Sequence, residues 1–218
     1  DIGSNDGSLL MQFKIRGASV IGIDPSDTVI KEADKKGIHT FHGLFNESCT
    51  RNEFKNQKFN IITAFNVFAH SADMRGMLSG VKQLLSSNGH FIFEVQYLSD
   101  ISNKHIMGTF FHEHMVHYSY ISACKFLQTK DLQIVNYQRN NIQNGSIIFI
   151  ACHKTYANNS PFLNSSSLID LHKEEQSLGL HSDQWAENFI HKQQQIKADC
   201  LSFLKDENIT SLPGYGAA

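Results

Sequence analysis

The chain carries no excess of positive charge. Its 19 Lys and Arg stand against 21 Asp and Glu, a formal net charge of −2. A nucleic-acid binder needs a basic footprint, so that partner class is excluded. No apolar run approaches the ~18 residues a spanning helix requires, which argues against a membrane partner. The four cysteines, Cys49, Cys124, Cys152 and Cys200, form no C-x-x-C pair, which argues against a zinc knuckle. They read as reduced thiols of a cytoplasmic protein. No G-K-[ST] and no G-x-G-x-x-G is present, so the sequence lacks a phosphate-cradling P-loop and the usual dinucleotide fingerprint.

What is present suits a globular fold. The sequence has 218 residues, 41% of them apolar, enough for one large domain or one domain plus a fragment. Prolines number only 3, histidines 12, and the first residue is Asp1. Asp1-Ile2-Gly3 reads as the end of a strand, followed by a Gly/Asn/Ser loop.

Alternation of strand and helix marks the first hundred residues. Leu9, Leu10 and Phe13 share one face of a helix over Ser8–Arg16. Ala18–Ile23 is a short buried strand, followed by Asp24-Pro25. A helix capped at Ser26 or Asp27 runs to Lys36 and stops at Gly37. His39–Phe41 is a third strand and Phe59–Phe65 a fourth, apolar enough to be covered on both faces. Met74–Leu85 is a helix ended by an Asn88-Gly89 turn, and His90–Val95 is a fifth strand. This order predicts an α/β fold with a doubly wound, mainly parallel sheet.

Beyond it the pattern changes. Residues 98–120 have no clear period and hold several histidines. Ser122–Thr129 reads as a helix. Leu132–Tyr137 and Ile147–His153 flank Asn144-Gly145 and read as antiparallel edge strands. Asn158–Pro161 and Ser165–Ser167 are linker-like. Leu168–Leu204 is helical, with a break at Gly179. Ile209–Leu212 reads as a last strand entering Gly214-Tyr215-Gly216. The expected division is a cofactor-binding core at 1–154, a helical connector at 155–207, and the start of another domain at 208–218.

The turn Asp1-Ile2-Gly3-Ser4-Asn5-Asp6-Gly7 lies between a strand end and a helix. Gly3 permits a tight turn, and Gly7 a close approach of backbone to ligand. Asp24 ends the next strand, where an acid binds the hydroxyls of an adenosine ribose. Asn5 and Asp6 place polar, partly anionic groups where a dinucleotide pyrophosphate would sit. That suits the sulfonium and ammonium of S-adenosylmethionine (SAM) better than a diphosphate.

These residues resemble the cofactor motif of the SAM-dependent sugar C-methyltransferases, which act on nucleotide-linked 4-keto-deoxysugars. Four further stretches are similar to that family: Asn66-Val67-Phe68-Ala69-His70, Glu94-Val95-Gln96-Tyr97-Leu98, His112-Glu113-His114 and Asn144-Gly145-Ser146. Gly214-Tyr215-Gly216-Ala217 matches as well. The resemblance implies a Rossmann-like fold of the SAM methyltransferase type, SAM as cofactor and a nucleotide-sugar substrate. Departures are Phe111 where the family usually has Tyr, Asn144 where it often has Gly, and Ile148 where it often has Arg.

The resemblance implies that Asp1, Gly3, Ser4, Asn5, Asp6, Gly7, Asp24, Pro25 and Asn66 bind the cofactor. Phe45 and Phe68 are candidate walls of its adenine pocket. Tyr97, Asn144, Gly145, Ser146 and Tyr215 are candidate substrate contacts.

C-methylation beside a ketone requires removal of an α-proton to give an enolate. Histidine has a suitable basicity near neutral pH. The resemblance implies His114 as the base, with Glu113 orienting it or binding substrate. His70 is a second candidate base. His112 and Tyr97 are candidate donors to the enolate oxygen. His112, His114 and His117 offer three imidazoles, yet no further ligand is identifiable, and no metal is expected. H-E-x-x-H fails because His117 comes one position late. Two other classes stay open: O- or N-methyl transfer to another small molecule, and a non-catalytic module that binds SAM or a nucleotide.

Overall fold

The computed structural model describes residues 1–55, 57–110 and 114–211. In chain order the elements are α1 (Ser8–Ile15), β1 (Gly22–Asp24), α2 (Asp27–Lys35), β2 (Thr40–His42) and α3 (Glu47–Cys49), which runs into a π-turn. Then come β3 (Phe59–Phe65), α4 (Met74–Leu84), β4 (Leu85–Gln96), α5 (Leu98–Lys104) and α6 (Tyr120–Gln128). β5 (Leu132–Asn140), β6 (Ser146–His153), α7 (Ser165–Ser177) and α8 (Asp183–Asp206) complete the order.

β1 pairs with β2 in parallel, and β3 with β4 in parallel. β6 runs antiparallel between β4 and β5. Ile2 links the two groups: it bridges Ile23 in parallel, and its N–H donates to the Thr63 carbonyl at 2.8 Å. The spatial order is therefore β2, β1, the Ile2 segment, β3, β4, β6, β5. This is the expected mixed, mostly parallel sheet with helices packed around it. Parallel neighbours need long crossover connections, and α2 and α4 supply them.

Two-residue alternation places the chemistry of β4. Phe91, Phe93, Val95 and Tyr97 are buried on one face. The Phe91 and Phe93 rings join Phe68, whose centroid lies 5.2 Å from that of Phe93 and 5.8 Å from that of Tyr118. Glu94 and Gln96 project to the other face. On α4, Met77, Leu78, Val81 and Leu84 form the apolar stripe that enters the same core. Asp73 caps that helix, accepting from the Gly76 N–H at 2.9 Å.

Several boundaries differ from the sequence reading. Asn88-Gly89 is not a turn: Leu85, 1% exposed, ends α4 by pairing with Phe59, and the chain continues as β4. A Cβ on Gly89 would lie 2.8 Å from the Phe59 carbonyl, so the glycine serves close strand approach. Only Gly22–Asp24 of the Ala18–Ile23 run is strand, with Asp24 added. α5 falls in the stretch without a period, because seven residues are too few to show one. Ser165–Ser167 is the first turn of α7, where the Asn164 side chain accepts from the Ser167 N–H at 3.2 Å. Leu168 and Leu171 of α7 pack into the main core. Ile209–Ser211 form no strand, and Leu212 onward lies outside the described residues.

Candidate functional site

The glycine-rich turn is fixed from three sides. The N–H groups of Gly3 and Ser4 donate to the Ile23 carbonyl at 2.8 and 3.2 Å. Gly3 has φ +66°, and a Cβ there would sit 2.3 Å from Cγ2 of Val67. Only glycine combines that backbone with that approach. Gly7, at φ +72°, abuts Ile38. The Asp1 carboxylate accepts from the Thr63 hydroxyl at 2.6 Å, tying the turn to β3.

Asp24 holds the same turn from β1. Its carboxylate accepts from the Asn5 N–H at 3.0 Å and from the Ser26 N–H at 2.9 Å. A carboxylate has about four acceptor sites, so capacity for ribose hydroxyls remains. Over the turn lies a cleft of about 440 Å³ lined by Asp1, Gly3, Asn5, Ser8, Leu9 and Phe65, among others. That volume is in the range that receives a nucleoside-sized ligand.

Ser4 and Asp6 also line this cleft, though each is engaged by other parts of the protein, and Pro25 is not among the lining residues. Asp6 faces Lys36 rather than the cleft alone. Its carboxylate takes the Lys36 ammonium at 2.5 Å and the Ser8 hydroxyl at 2.8 Å. Hydrogen bonds from Lys36 and Ser8 hold it at a pKa of about 2. Ser4 is 3% exposed and turns beneath the loop, its hydroxyl where a Cβ on Gly22 would be. Pro25 is exposed, and its carbonyl lies 3.0 Å from His42 Nε2.

The adenine-wall assignments need correction. Phe68 has no exposed surface and belongs to the aromatic core. Phe45 lines a different cavity of about 450 Å³, between residues 18–23 and 58–63. It fits there because Gly80 has no side chain: a Cβ at 80 would come within 2.9 Å of the Phe45 ring.

Histidines separated in sequence meet beyond β3 and β4. The His70 and His114 rings lie 4.8 Å apart, and those of His114 and His117 lie 5.7 Å apart. His114 Nδ1 is 2.8 Å from the Thr109 carbonyl and 3.1 Å from its hydroxyl. A carbonyl only accepts, so Nδ1 carries the proton and a neutral ring keeps its lone pair on Nε2. Thr109 is 3% exposed and its hydroxyl donates to Gln96. Burial, and secondly the neighbouring His114, lower the pKa of His117. Among the described residues, no group of three or more His, Cys, Asp or Glu is placed to hold a metal. Phe111, His112, Glu113 and Tyr215 lie outside the described residues.

α8 braces this loop. Trp185 donates from Nε1 to the Ser102 hydroxyl at 2.8 Å and stacks on Phe189, with centroids 5.4 Å apart. Phe189 meets Phe110 at 5.6 Å, and Phe110 meets His117 at 4.6 Å. The sequence pattern gave none of the Trp185, Phe110 and Phe189 rings a part in the site.

Glu94 was also without an assigned role, although its motif was noted. It is 5% exposed at the end of β4. Its carboxylate accepts from Asn140 Nδ2 at 2.8 Å, from the Ser146 hydroxyl, and from Asn66 Nδ2 at 3.4 Å. Two predicted site residues, Asn66 and Ser146, thus meet through a third.

Of the remaining substrate candidates, Tyr97 and Gly145 are structural in position. Tyr97 has no exposed surface; Arg139 lies 4.9 Å from its ring centroid. Burial, then the Glu175 and Glu174 carboxylates, push its hydroxyl pKa far up, so it stays protonated. It is not a surface donor to substrate. Gly145 leaves room for Asp100, which would lie 2.5 Å from a Cβ at that position. Asn144 is exposed, and its carbonyl accepts from Lys104 at 2.5 Å.

A mixed sheet of this order, with its glycine-rich turn beside an acid at the next strand end, is the SAM-dependent methyltransferase fold. The chain belongs to the methyltransferase-domain family, whose model matches residues 1–137. It is 25% identical over 224 residues to the C-methyltransferase NovU of Streptomyces niveus, covering 100% of this chain and 51% of that protein. The chain thus spans about half the length of that curated relative. Its fold is similar to the magnesium protoporphyrin IX methyltransferase of Synechocystis with bound S-adenosylhomocysteine (TM-score 0.56, 19% identity, 70% of this chain and 72% of that one). It also resembles a SAM-dependent methyltransferase from Clostridium acetobutylicum (TM-score 0.56, 16% identity, 70% and 82% covered). No helix among the described residues is long and apolar enough to cross a membrane.

Proposed function

We propose that the protein transfers a methyl group from SAM to the carbon beside the ketone of a nucleotide-linked keto-deoxysugar. The observation that carries this reading is the pairing of His70 with His114 next to the ends of β3 and β4. The likeness to a C-methyltransferase supports the same chemistry.

The residues in the cleft and those beside it fit the cofactor. Gly3, Asn5, Gly7 and Asp24 would hold its nucleoside and amino-acid parts, with Asp1 and Asn66 bordering them. When bound, SAM supplies an electrophilic methyl carbon and keeps the electron pair of the broken carbon–sulfur bond.

The chain supplies the proton chemistry. The Thr109 carbonyl fixes the His114 proton on Nδ1. Nε2 then takes the substrate α-proton, and the electrons of the C–H bond pass into the enolate. The same carbonyl stabilises the imidazolium that results. His70 lies edge-on to His114 and borders the same space. Phe111 neither donates nor accepts a proton, so the enolate oxygen relies on other donors, His112 among them.

We retain the division into a cofactor core, a helical connector and the start of a further domain as part of this proposal. Its test is calorimetry with SAM, followed by activity on nucleotide-linked 4-keto-deoxysugars. Methyl incorporation on carbon is the expected result. Incorporation on oxygen or nitrogen would overturn the C-methyl reading.

A further inference from the structure

His114 sits on the connection between α5 and α6, residues 105–119. The far end of that connection is tied to the sheet: Tyr118 bridges Tyr97, and the Leu98 N–H donates to the Tyr118 carbonyl at 2.9 Å. These ties hold Tyr118, not the His114 ring. A base works only when its reacting atom is held to within about an ångström, so the ring needs a mount of its own.

Side chains supply one. Gln96 ends β4, where its backbone pairs with Ser146 of β6. Its Oε1 accepts from the hydroxyl of Thr109, a residue 3% exposed. Thr109 meets His114 twice: its carbonyl oxygen lies 2.8 Å from Nδ1 and its hydroxyl oxygen 3.1 Å from the same nitrogen. The Nδ1 proton is therefore shared between two oxygens of one residue. A hydroxyl accepts through a lone pair while donating its own proton elsewhere, here to Gln96. One oxygen atom thus joins the imidazole to the end of a strand.

We propose that Gln96 is a positioning residue for His114 and acts through the Thr109 hydroxyl. This rests on the reading of His114 as the base. β4 is a rigid support, paired with β3 on one side and β6 on the other. Gln96 pins the Thr109 side chain, and the pinned residue presents both oxygens to Nδ1–H. That bond fixes the ring, with Nε2 left to take the substrate proton.

A double-mutant cycle tests this, read by exchange of the α-protons of a nucleotide-linked 4-keto-deoxysugar with deuterated water. Thr109→Val removes the hydroxyl but keeps the side-chain shape and the backbone carbonyl. Gln96→Leu removes the acceptor. Each should slow exchange about tenfold, with SAM affinity by calorimetry within about twofold of wild type. The double variant should be no more than about twofold slower than either single one, because both changes break the same connection. Thr109→Ser and Gln96→Glu keep the connection and should restore the rate to within about threefold. Single losses that multiply to about a hundredfold, an unchanged rate in either single variant, or a failure of both rescues would overturn the proposal. Should the Thr109 variants fail to fold, nitrogen NMR of the His114 imidazole in Gln96→Leu decides. Wild type should carry the proton on Nδ1, and the variant should show part of it on Nε2; the wild-type pattern in the variant would overturn the proposal. Wild-type exchange in a folded His114→Ala variant would instead refute the base reading itself, and this proposal with it.

Discussion

The rings of His70 and His114 meet edge to face, their centroids 4.8 Å apart, although 43 residues lie between them in the chain. One follows β3 and the other follows the loop after β4. Parallel pairing of those strands brings the two together. The two imidazoles therefore share one space, and their roles are separable by mutation.

Replacing His70 by Ala should lower kcat by about tenfold to a hundredfold, less than loss of a general base itself. SAM affinity should stay within about twofold. Single-turnover kinetics beside calorimetry checks this. A loss confined to SAM binding would place His70 with the cofactor instead.

Gly3→Ala tests the cofactor turn. The substitution forces a side chain onto φ +66° and into Val67 Cγ2. We expect a destabilisation of about 1–3 kcal/mol and loss of SAM binding, read by chemical denaturation and calorimetry. Gly17→Ala is a useful contrast. A Cβ there meets nothing within 4 Å, so its positive φ supplies the only penalty.

The fold should be acid-sensitive through His90. That ring is 7% exposed, bonded to the Ser160 hydroxyl at 2.9 Å and packed edge-on against Phe162. Burial lowers its pKa below the ordinary 6.5. The unfolded chain therefore binds the proton more readily than the folded one. The stabilisation is complete above pH 6.5 and is lost as pH falls from there through the lowered folded value. His117 adds to the same trend. Denaturation midpoints at pH 8 and pH 5 should differ more in wild type than in His90→Gln.

Much of the fold was legible from pattern. The Phe59–Phe65 strand shows little polar alternation, and the α4 stripe has a helical period. The glycine turn was readable because positive φ demands glycine. Phe68 was misread because a motif position does not reveal which face a ring takes; the Phe91 and Phe93 rings decide that. Asp6 lines the cleft, but its ion pair was not legible because the partner, Lys36, lies at the end of another helix. Glu94 was passed over for the same kind of reason: its donors come from three separate segments, and no local spacing announces them.

The aromatic brace from α8 yields a further expectation. Phe189→Ala removes the ring between Trp185 and Phe110. It should cut kcat several-fold while SAM affinity holds, and Phe189→Tyr should restore it. Equal loss in both variants would argue against a positioning role.

The most direct test is exchange of α-protons with solvent deuterium in a nucleotide-linked 4-keto-deoxysugar, followed by NMR. Intact wild-type protein should accelerate the exchange. A folded His114→Ala variant should lose that acceleration by about a hundredfold or more while still binding SAM. Exchange at the wild-type rate in that variant would contradict the assignment of His114 as the base.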